Sequence, residues 1–264
     1  LGGAEDSPLC IAIASGHGAA KTTLMAWLVL WFMSCRPHPQ VVVTANTESQ
    51  LNTRTWRELA KWHKLASNKG WFEWTATSFY LKAHPETWKA NAIPWSENNS
   101  EAFAGTHEES VLVGFDEASK ISDKIFEVTD GIFTTKKNIW IVAGNGTRNS
   151  GRFYECFNKH KRRWKTWNID SRTCKAANKT YLQSLVDQYG GEETDQAKVR
   201  VRGLFPSAAT RQLISTESVE KCQNHQSEGF EYLPKVLGCD IARFGENSSV
   251  LIYRQGRKIY EPIV

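Results

Sequence analysis

The sequence predicts an α/β fold with a mostly parallel central sheet, and three apolar segments with polar residues at their carboxyl ends predict it. The first, Cys10-Ile11-Ala12-Ile13-Ala14, runs into Ser15-Gly16-His17-Gly18-Ala19-Ala20-Lys21-Thr22-Thr23 and then into a second apolar stretch that reaches Met33. The second segment, 111–115, ends in Asp116-Glu117, and the third, 138–143, ends in Gly144-Asn145-Gly146-Thr147-Arg148. Unbroken apolar runs of this length are what strands buried on both faces look like, and open α/β sheets place their chemistry at the carboxyl ends of parallel strands.

The remaining elements follow from periodicity. Strands are expected near 9–14, 40–45, 111–115, 138–143 and 165–169, alternating with helical patterns near 21–34, 48–67, 119–129, 151–161 and 177–189. Residues 1–206 read as one α/β domain. Residues 207–230 are mixed and polar and read as a linker, with a short helix expected at 216–222. Residues 231–264 hold alternating or apolar segments that read as the first strands of a β-rich sheet. The chain enters its first strand within a few residues, so an adenine-binding segment is expected upstream of Leu1. A 41% hydrophobic composition over 264 residues supports packed domains rather than disorder.

The residues from Ser15 to Thr23 form a phosphate-binding loop in outline. Strand, small-residue turn and helix in that order let backbone N–H groups and a helix N-terminus surround phosphate. In that arrangement Lys21 reaches the β- and γ-phosphates of ATP and the Thr22 hydroxyl ligates Mg²⁺. Two positions depart from the G-x-x-x-x-G-K-[ST] pattern: Ser15 stands at its first glycine and Ala20 at its last. A methyl at Ala20 is expected either to crowd the nucleotide or to force a different loop path. His17 reads as a passive member of the loop.

Asp116 is placed to hold Mg²⁺, and Glu117 to act as general base on the attacking water. The combination of a lysine-threonine loop and an apolar strand ending in Asp-Glu makes a phosphate-loop NTPase the expected fold. Asn145 is a candidate for sensing the γ-phosphate, against the alternative of a simple Asn-Gly turn. Arg148 and Arg152 are candidates for stabilising charge during phosphoryl transfer, within their own subunit or a neighbour's. A DNA-facing role would look identical.

Formal net charge is +5, and the run Lys159-His160-Lys161-Arg162-Arg163-Trp164-Lys165 concentrates positive charge beside an aromatic. Lys159, Lys161, Arg162, Arg163 and Lys165 are candidate contacts to DNA phosphates, which would give salt-sensitive, sequence-independent affinity. A solvated helix end is the alternative. Arg200 and Arg202 alternate with Val199 and Val201 and are expected on one face of a strand. Trp27, Trp31, Trp56 and Trp62 fall at helical spacings and read as packing residues, while Trp164 and Trp167 are candidates for DNA contact. The six cysteines lack metal-ligand spacing and read as reduced thiols of a cytosolic protein. The apolar stretch 22–35 is too short to span a bilayer, so no membrane partner is expected.

The set SGHGAAKTT at 15–23, VLVGFDEAS at 111–119, IVAGNGTRNSGRFYE at 141–155 and VRVRGLFP at 199–206 resembles the large subunit of a tailed-bacteriophage DNA-packaging terminase. The resemblance covers most of the chain, including SENNSEAFAGTH at 96–107, a segment that would connect nucleotide to DNA. It implies an ATPase motor joined to an RNase H-like nuclease, here incomplete. Lys21 and Thr22 would be the phosphate and metal residues, Asp116 and Glu117 the metal carboxylate and base, and Asn145 part of a coupling motif. Asp240 would be a metal-binding carboxylate on the first nuclease strand. The complete nuclease would use divalent metal, Mg²⁺ or Mn²⁺, and its later carboxylates are expected beyond Val264. Implied partners are double-stranded DNA, the portal protein, the small terminase subunit and further copies of the chain in a ring. The implied location is the host cytoplasm and, transiently, the capsid portal, not the mature virion. Two other readings stay open: a nucleotide-binding packaging subunit impaired in hydrolysis, which Ala20 would explain, and a helicase-like nucleic-acid-dependent ATPase.

Overall fold

A computed structural model describes residues 8–45, 47–94, 108–133, 137–207, 222, 231–242 and 248–263. The chain forms two compact units, Leu1–Gln212 and Leu213–Val264. In the first unit β1 (Leu9–Ser15) leads through the glycine-containing loop into α1 (Lys21–Cys35), and β2 (Gln40–Thr44) follows. A helix then begins as α2 (Glu48–Gln50), widens into π-type turns over Leu51–Trp56 and continues as α3 (Arg57–Leu65). Its start is set by Thr47, whose side chain accepts a hydrogen bond from the Gln50 backbone N–H. Next come three short strands, β3 (Phe72–Trp74), β4 (Ser78–Leu81) and β5 (Lys89–Ala92). The order then runs β6 (Val111–Asp116), α4 (Asp123–Asp130), β7 (Ile139–Gly144), α5 (Arg152–Phe157), β8 (Trp164–Ile169), α6 (Lys179–Gln188) and α7 (Asp195–Ala197).

The sheet order is β3-β4-β5-β2-β6-β7-β1-β8. Six strands, from β5 to β8 in that order, are mutually parallel, and only the β3–β4–β5 edge is antiparallel. β7 therefore lies between the strand that feeds the loop and the strand that carries Asp116. Alternation along the central strands splits the core into two layers. Ile11, Ile13, Val41, Val43, Leu112 and Ile141 pack on the face that holds Met25 and Phe32 of α1 and Leu59 of α3. Ala12, Val42, Val113, Phe115, Trp140 and Val142 pack on the face that holds Ile125 and Phe126 of α4 and Phe153 of α5. Both faces being covered explains the unbroken apolar runs.

The strands expected near 9–14, 40–45, 111–115, 138–143 and 165–169 all form, and several helices and one further strand differ from expectation. The pattern at 119–129 resolves into a single turn, Ala118–Lys120, and then α4, because Ile121 is extended. The helix expected at 151–161 stops at Phe157, and the one expected at 177–189 begins after Asn178, whose side chain caps the Tyr181 N–H. The turn Lys198–Arg202 is helical, which corrects the strand expected to carry Arg200 and Arg202. It buries Val201 and closes on Gly203 in the left-handed conformation, with the Leu204 N–H bonded to the Lys198 carbonyl. Strands β3 to β5 carried no clear sequence signal, being three or four residues long and partly polar. The short helix expected at 216–222 and the coupling segment 96–107 lie outside the described residues, except that Cys222 is helical and exposed.

The tryptophans divide by layer. Trp56 is buried, Trp31 and Trp62 pack against the first layer, and Trp27 is half exposed with its ring edge-on to Trp62 at 4.9 Å. Trp164 is buried against Trp140, with ring centroids 5.0 Å apart, so it is a core residue and not a DNA contact. Trp167 is exposed.

In the second unit β9 (Lys235–Asp240), β10 (Val250–Gln255) and β11 (Lys258–Ile259) form an antiparallel sheet in the order β11-β10-β9. Tyr253 and Tyr260 stack on it at 4.5 Å. Asp240 ends β9 and is exposed. Among the described residues no helix is long and apolar enough to cross a membrane.

Trp140 is the hub of the second layer, ringed by Phe115, Phe126, Phe133 and Trp164 at centroid distances of 5.0–5.7 Å. Trp140→Ala is expected to destabilise the chain by about 3–5 kcal/mol, read as a lower denaturation midpoint with an unchanged denaturant slope.

Candidate nucleotide site

The carboxyl ends of β1, β6 and β7 and the start of α1 converge on one cleft of about 730 Å³, with Thr53, Arg54, Arg57, Glu58 and Lys61 of the α2–α3 helix forming its other side. His17, Gly18, Ala19, Ala20, Lys21, Thr22, Thr23, Glu117 and Asn145 line the rest.

The Lys21 ammonium donates to Ser15 Oγ at 2.9 Å, to the Gly16 carbonyl at 3.3 Å and to Asn145 Oδ1 at 3.3 Å. Asn145 in turn donates from Nδ2 to the Ser15 carbonyl at 2.8 Å and is almost fully buried. Ser15 thus supplies an acceptor for the lysine at the position where the loop pattern has glycine. Burial lowers the proton affinity of Lys21 below its ordinary value, and the charges of Glu117 and Asp116 oppose that effect. The positive charge is kept in a partly desolvated place, where an incoming anion gains most from it. His17 is also shifted downward, first by burial and then by Lys21 and Arg200, so it is biased toward the neutral imidazole.

Asp116 is buried and saturated. Its Oδ2 accepts from Thr22 Oγ1 at 3.0 Å and from Thr55 Oγ1 at 2.8 Å, and its Oδ1 accepts from the Glu117 N–H at 3.0 Å. Hydroxyl and carboxylate oxygens at this separation are the hard donors that a Mg²⁺ ion takes from protein when phosphates and water complete its shell. The adjacent Glu117 has φ 56°, a left-handed backbone that is rare for glutamate, and its side chain lines the cleft. Thr23 Oγ1 donates to Glu58 Oε1 at 2.8 Å, fastening α1 to α3.

The loop is held from behind. A Cβ at Gly16 would lie 2.3 Å from the Val201 carbonyl, and the His17 N–H bonds the Arg200 carbonyl at 2.8 Å. Ala20 is left-handed, with φ 57° and ψ 29°. The chain keeps at this position a conformation that glycine adopts freely and alanine resists.

Two of the predicted arginines are engaged elsewhere. Arg148 donates through Nε (3.0 Å) and Nη2 to the Ser119 carbonyl, just past Glu117, and does not line the cleft. Arg152 pairs with Asp130 at 2.6 Å while its backbone N–H caps onto Asp123, so it braces α4 against α5. Asp130 is shared with Arg163 at 2.5 Å, and the Arg163 guanidinium lies 5.8 Å from the centre of the Trp140 ring. Arg163 is therefore a packing and ion-pair residue. Lys159, Lys161, Arg162 and Lys165 are exposed around the start of β8, at the end of the parallel sheet opposite the loop. Asp240 belongs to the second unit and is not grouped with other metal-binding side chains; among the described residues no cluster of three His, Cys, Asp or Glu is found.

The sequence reading missed Thr55, Arg54, Arg57, Glu58 and Lys61. Their spacing on one helix that starts beyond the carboxyl end of β2 was the available signal, since such a helix begins beside the loop in a parallel sheet.

No family model matches the sequence. A protein of Enterobacteria phage P7 named "Probable terminase, large subunit" is 27% identical over 224 residues, covering 80% of this chain and 45% of the relative. The chain is related to phage large terminase subunits. The large terminase of the thermophilic bacteriophage D6E in complex with ADP shares the fold with a TM-score of 0.59 at 14% identity, over 92% of this chain and 59% of that one. The Thermus phage P74-26 large terminase ATPase domain aligns with a TM-score of 0.55 at 12% identity, over 74% and 87% of the two chains. The mostly parallel sheet flanked by helices is the phosphate-loop NTPase fold of those terminase ATPase domains. The chain spans about 45% of the length of its phage P7 relative.

Since alanine in a left-handed conformation costs roughly 1–2 kcal/mol, partly offset by the flexibility of glycine in the unfolded chain, Ala20→Gly is expected to stabilise this terminase relative. The gain should be about 0.5–1 kcal/mol by chemical denaturation.

Proposed function

We propose that this chain is the ATPase part of a DNA-packaging motor, hydrolysing ATP with Mg²⁺ to move double-stranded DNA into a preformed capsid. The observation that carries the reading is the bonding chain Thr22–Asp116 and Lys21–Asn145–Ser15, gathered from three parallel strand ends around a cleft that also contains Glu117. Relationship to a large terminase subunit supports the substrate, and the ADP and ATP-gamma-S complexes of the phage D6E protein support the nucleotide.

In this reading Lys21 exchanges Asn145 and the Gly16 carbonyl for β- and γ-phosphate oxygens. The backbone N–H groups of the loop and the start of α1 receive the rest of the phosphate charge. Thr22 and Asp116 would hold Mg²⁺, which would supply positive charge to offset that of the phosphates. Glu117 accepts a proton from the attacking water. Asn145, tied to both Lys21 and the Ser15 backbone, registers whether the lysine is occupied, so loss of the terminal phosphate is felt at the end of β7.

Grip on DNA is assigned to exposed cations of the β8 start, Lys159, Lys161, Arg162 and Lys165, with Arg163 excluded by its ion pair. For the complete protein we propose further an RNase H-like nuclease beginning at β9 with Asp240 as a metal ligand, a ring of copies on the portal, guidance by a small terminase subunit, and action in the host cytoplasm.

The deciding experiment measures Mg²⁺-dependent ATP hydrolysis with and without intact double-stranded DNA. Glu117→Gln should retain nucleotide binding and lower turnover by about 100-fold or more; full activity in that variant would remove Glu117 as the base. Lys161→Ala with Arg162→Ala should weaken DNA binding and flatten the log–log salt dependence by about 2, whereas an unchanged slope places the DNA elsewhere.

A further inference from the structure

The wall of the cleft opposite the loop carries cations that nothing described so far uses. Arg54 and Arg57, three residues apart on the helix that follows β2, both line the cleft. Their nearest acidic neighbour in sequence, Glu58, is already committed, with Oε1 accepting from Thr23, Lys61 and Trp62. Among the described residues neither guanidinium has a hydrogen-bond or ion-pair partner, and both are exposed to the cleft's solvent. Two like charges held side by side without a counter-ion repel each other, and an anion placed between them relieves that repulsion.

Their support is rigid, and it is tied to the chemistry. Thr55, between them in sequence, is buried and donates to Asp116, while Glu58 is bonded to Thr23 beside the loop. The helix is thereby pinned at two points to the strand end and to α1, the two elements that frame the phosphates. Guanidinium groups suit a terminal phosphoryl group because their fixed fork can donate two parallel hydrogen bonds to its oxygens.

We infer that Arg54 and Arg57 clamp the terminal phosphate of the nucleotide, making the site selective for a nucleoside triphosphate over a diphosphate. This rests on the nucleotide-site reading above. Loss of the γ-phosphate then empties the clamp, and the helix that carries it is the one bonded to Asp116 through Thr55. The clamp is built within one chain, separate from Arg148 and Arg152, whose guanidinium groups are engaged elsewhere.

The test compares affinities for a non-hydrolysable ATP analogue and for ADP, each with Mg²⁺, by calorimetry on the unaltered chain, Arg54→Ala, Arg57→Ala, the double variant and the two Arg→Lys variants. Apo melting temperatures serve as the check on folding. Expected is a loss of ATP-analogue affinity of about tenfold or more in each alanine variant, with ADP affinity nearly unchanged and only partial recovery by lysine. Equal loss for both nucleotides, or no loss for either, overturns the clamp. Loss of DNA affinity with both nucleotide affinities intact also overturns it, and assigns the pair to the DNA backbone instead. If the unaltered chain binds neither nucleotide, it is the nucleotide-site reading itself that fails.

Discussion

The carboxylate of Asp116 holds three pieces of the molecule in one place. It ends β6 in a buried position, receives hydroxyl hydrogen bonds from Thr22 at the start of α1 and from Thr55 on the helix after β2, and takes the backbone N–H of Glu117. A charge so removed from water persists only when its oxygens are satisfied. Here the donors that satisfy it come from the loop helix and the opposite wall of the cleft. The site's shape and its capacity for a hard cation therefore have the same origin. Next to Asp116, Glu117 takes a left-handed backbone conformation and lines the cleft.

Much of this was legible in the sequence, and the unread part has a physical pattern. Central strands were legible because both faces are covered, so that Ile11 and Ile13 serve one layer while Ala12 and Ala14 serve the other, and the run stays apolar throughout. The edge strands β3 to β5 were not, since Lys89-Ala90-Asn91-Ala92 needs a partner strand more than a core to become a strand. Residues chosen for the loop and the Asp-Glu strand do gather around one cleft, because strand ends in a parallel sheet converge whatever their separation in sequence. The ion pairs of Arg152 and Arg163 were not legible for a different reason. Nothing in the sequence shows that Asp130, more than twenty residues away from either, is the partner of both.

That shared aspartate also sorts the basic run. Arg163, itself exposed, lies over Trp140 and is paired with Asp130, while Lys161 and Arg162 beside it are open to solvent. The charge of a sequence segment is thus divided by the fold into a structural fraction and a fraction available to a partner. Long-range attraction to an anionic polymer depends on the second fraction.

The helical turn Lys198–Arg202 sits directly behind the phosphate loop, leaving room only for hydrogen at Gly16, and Gly203 in turn fits so closely that a Cβ there would meet the Ile169 carbonyl at 2.4 Å and Ser15 Cα at 2.7 Å. Contacts between backbones have no side-chain rotamers to absorb a displacement. The loop therefore has a stiff abutment: any recoil of Gly16 or His17 is borne by main chain at Arg200 and Val201, so a turn that follows α7, well past the last strand of the sheet, takes the mechanical load of the loop.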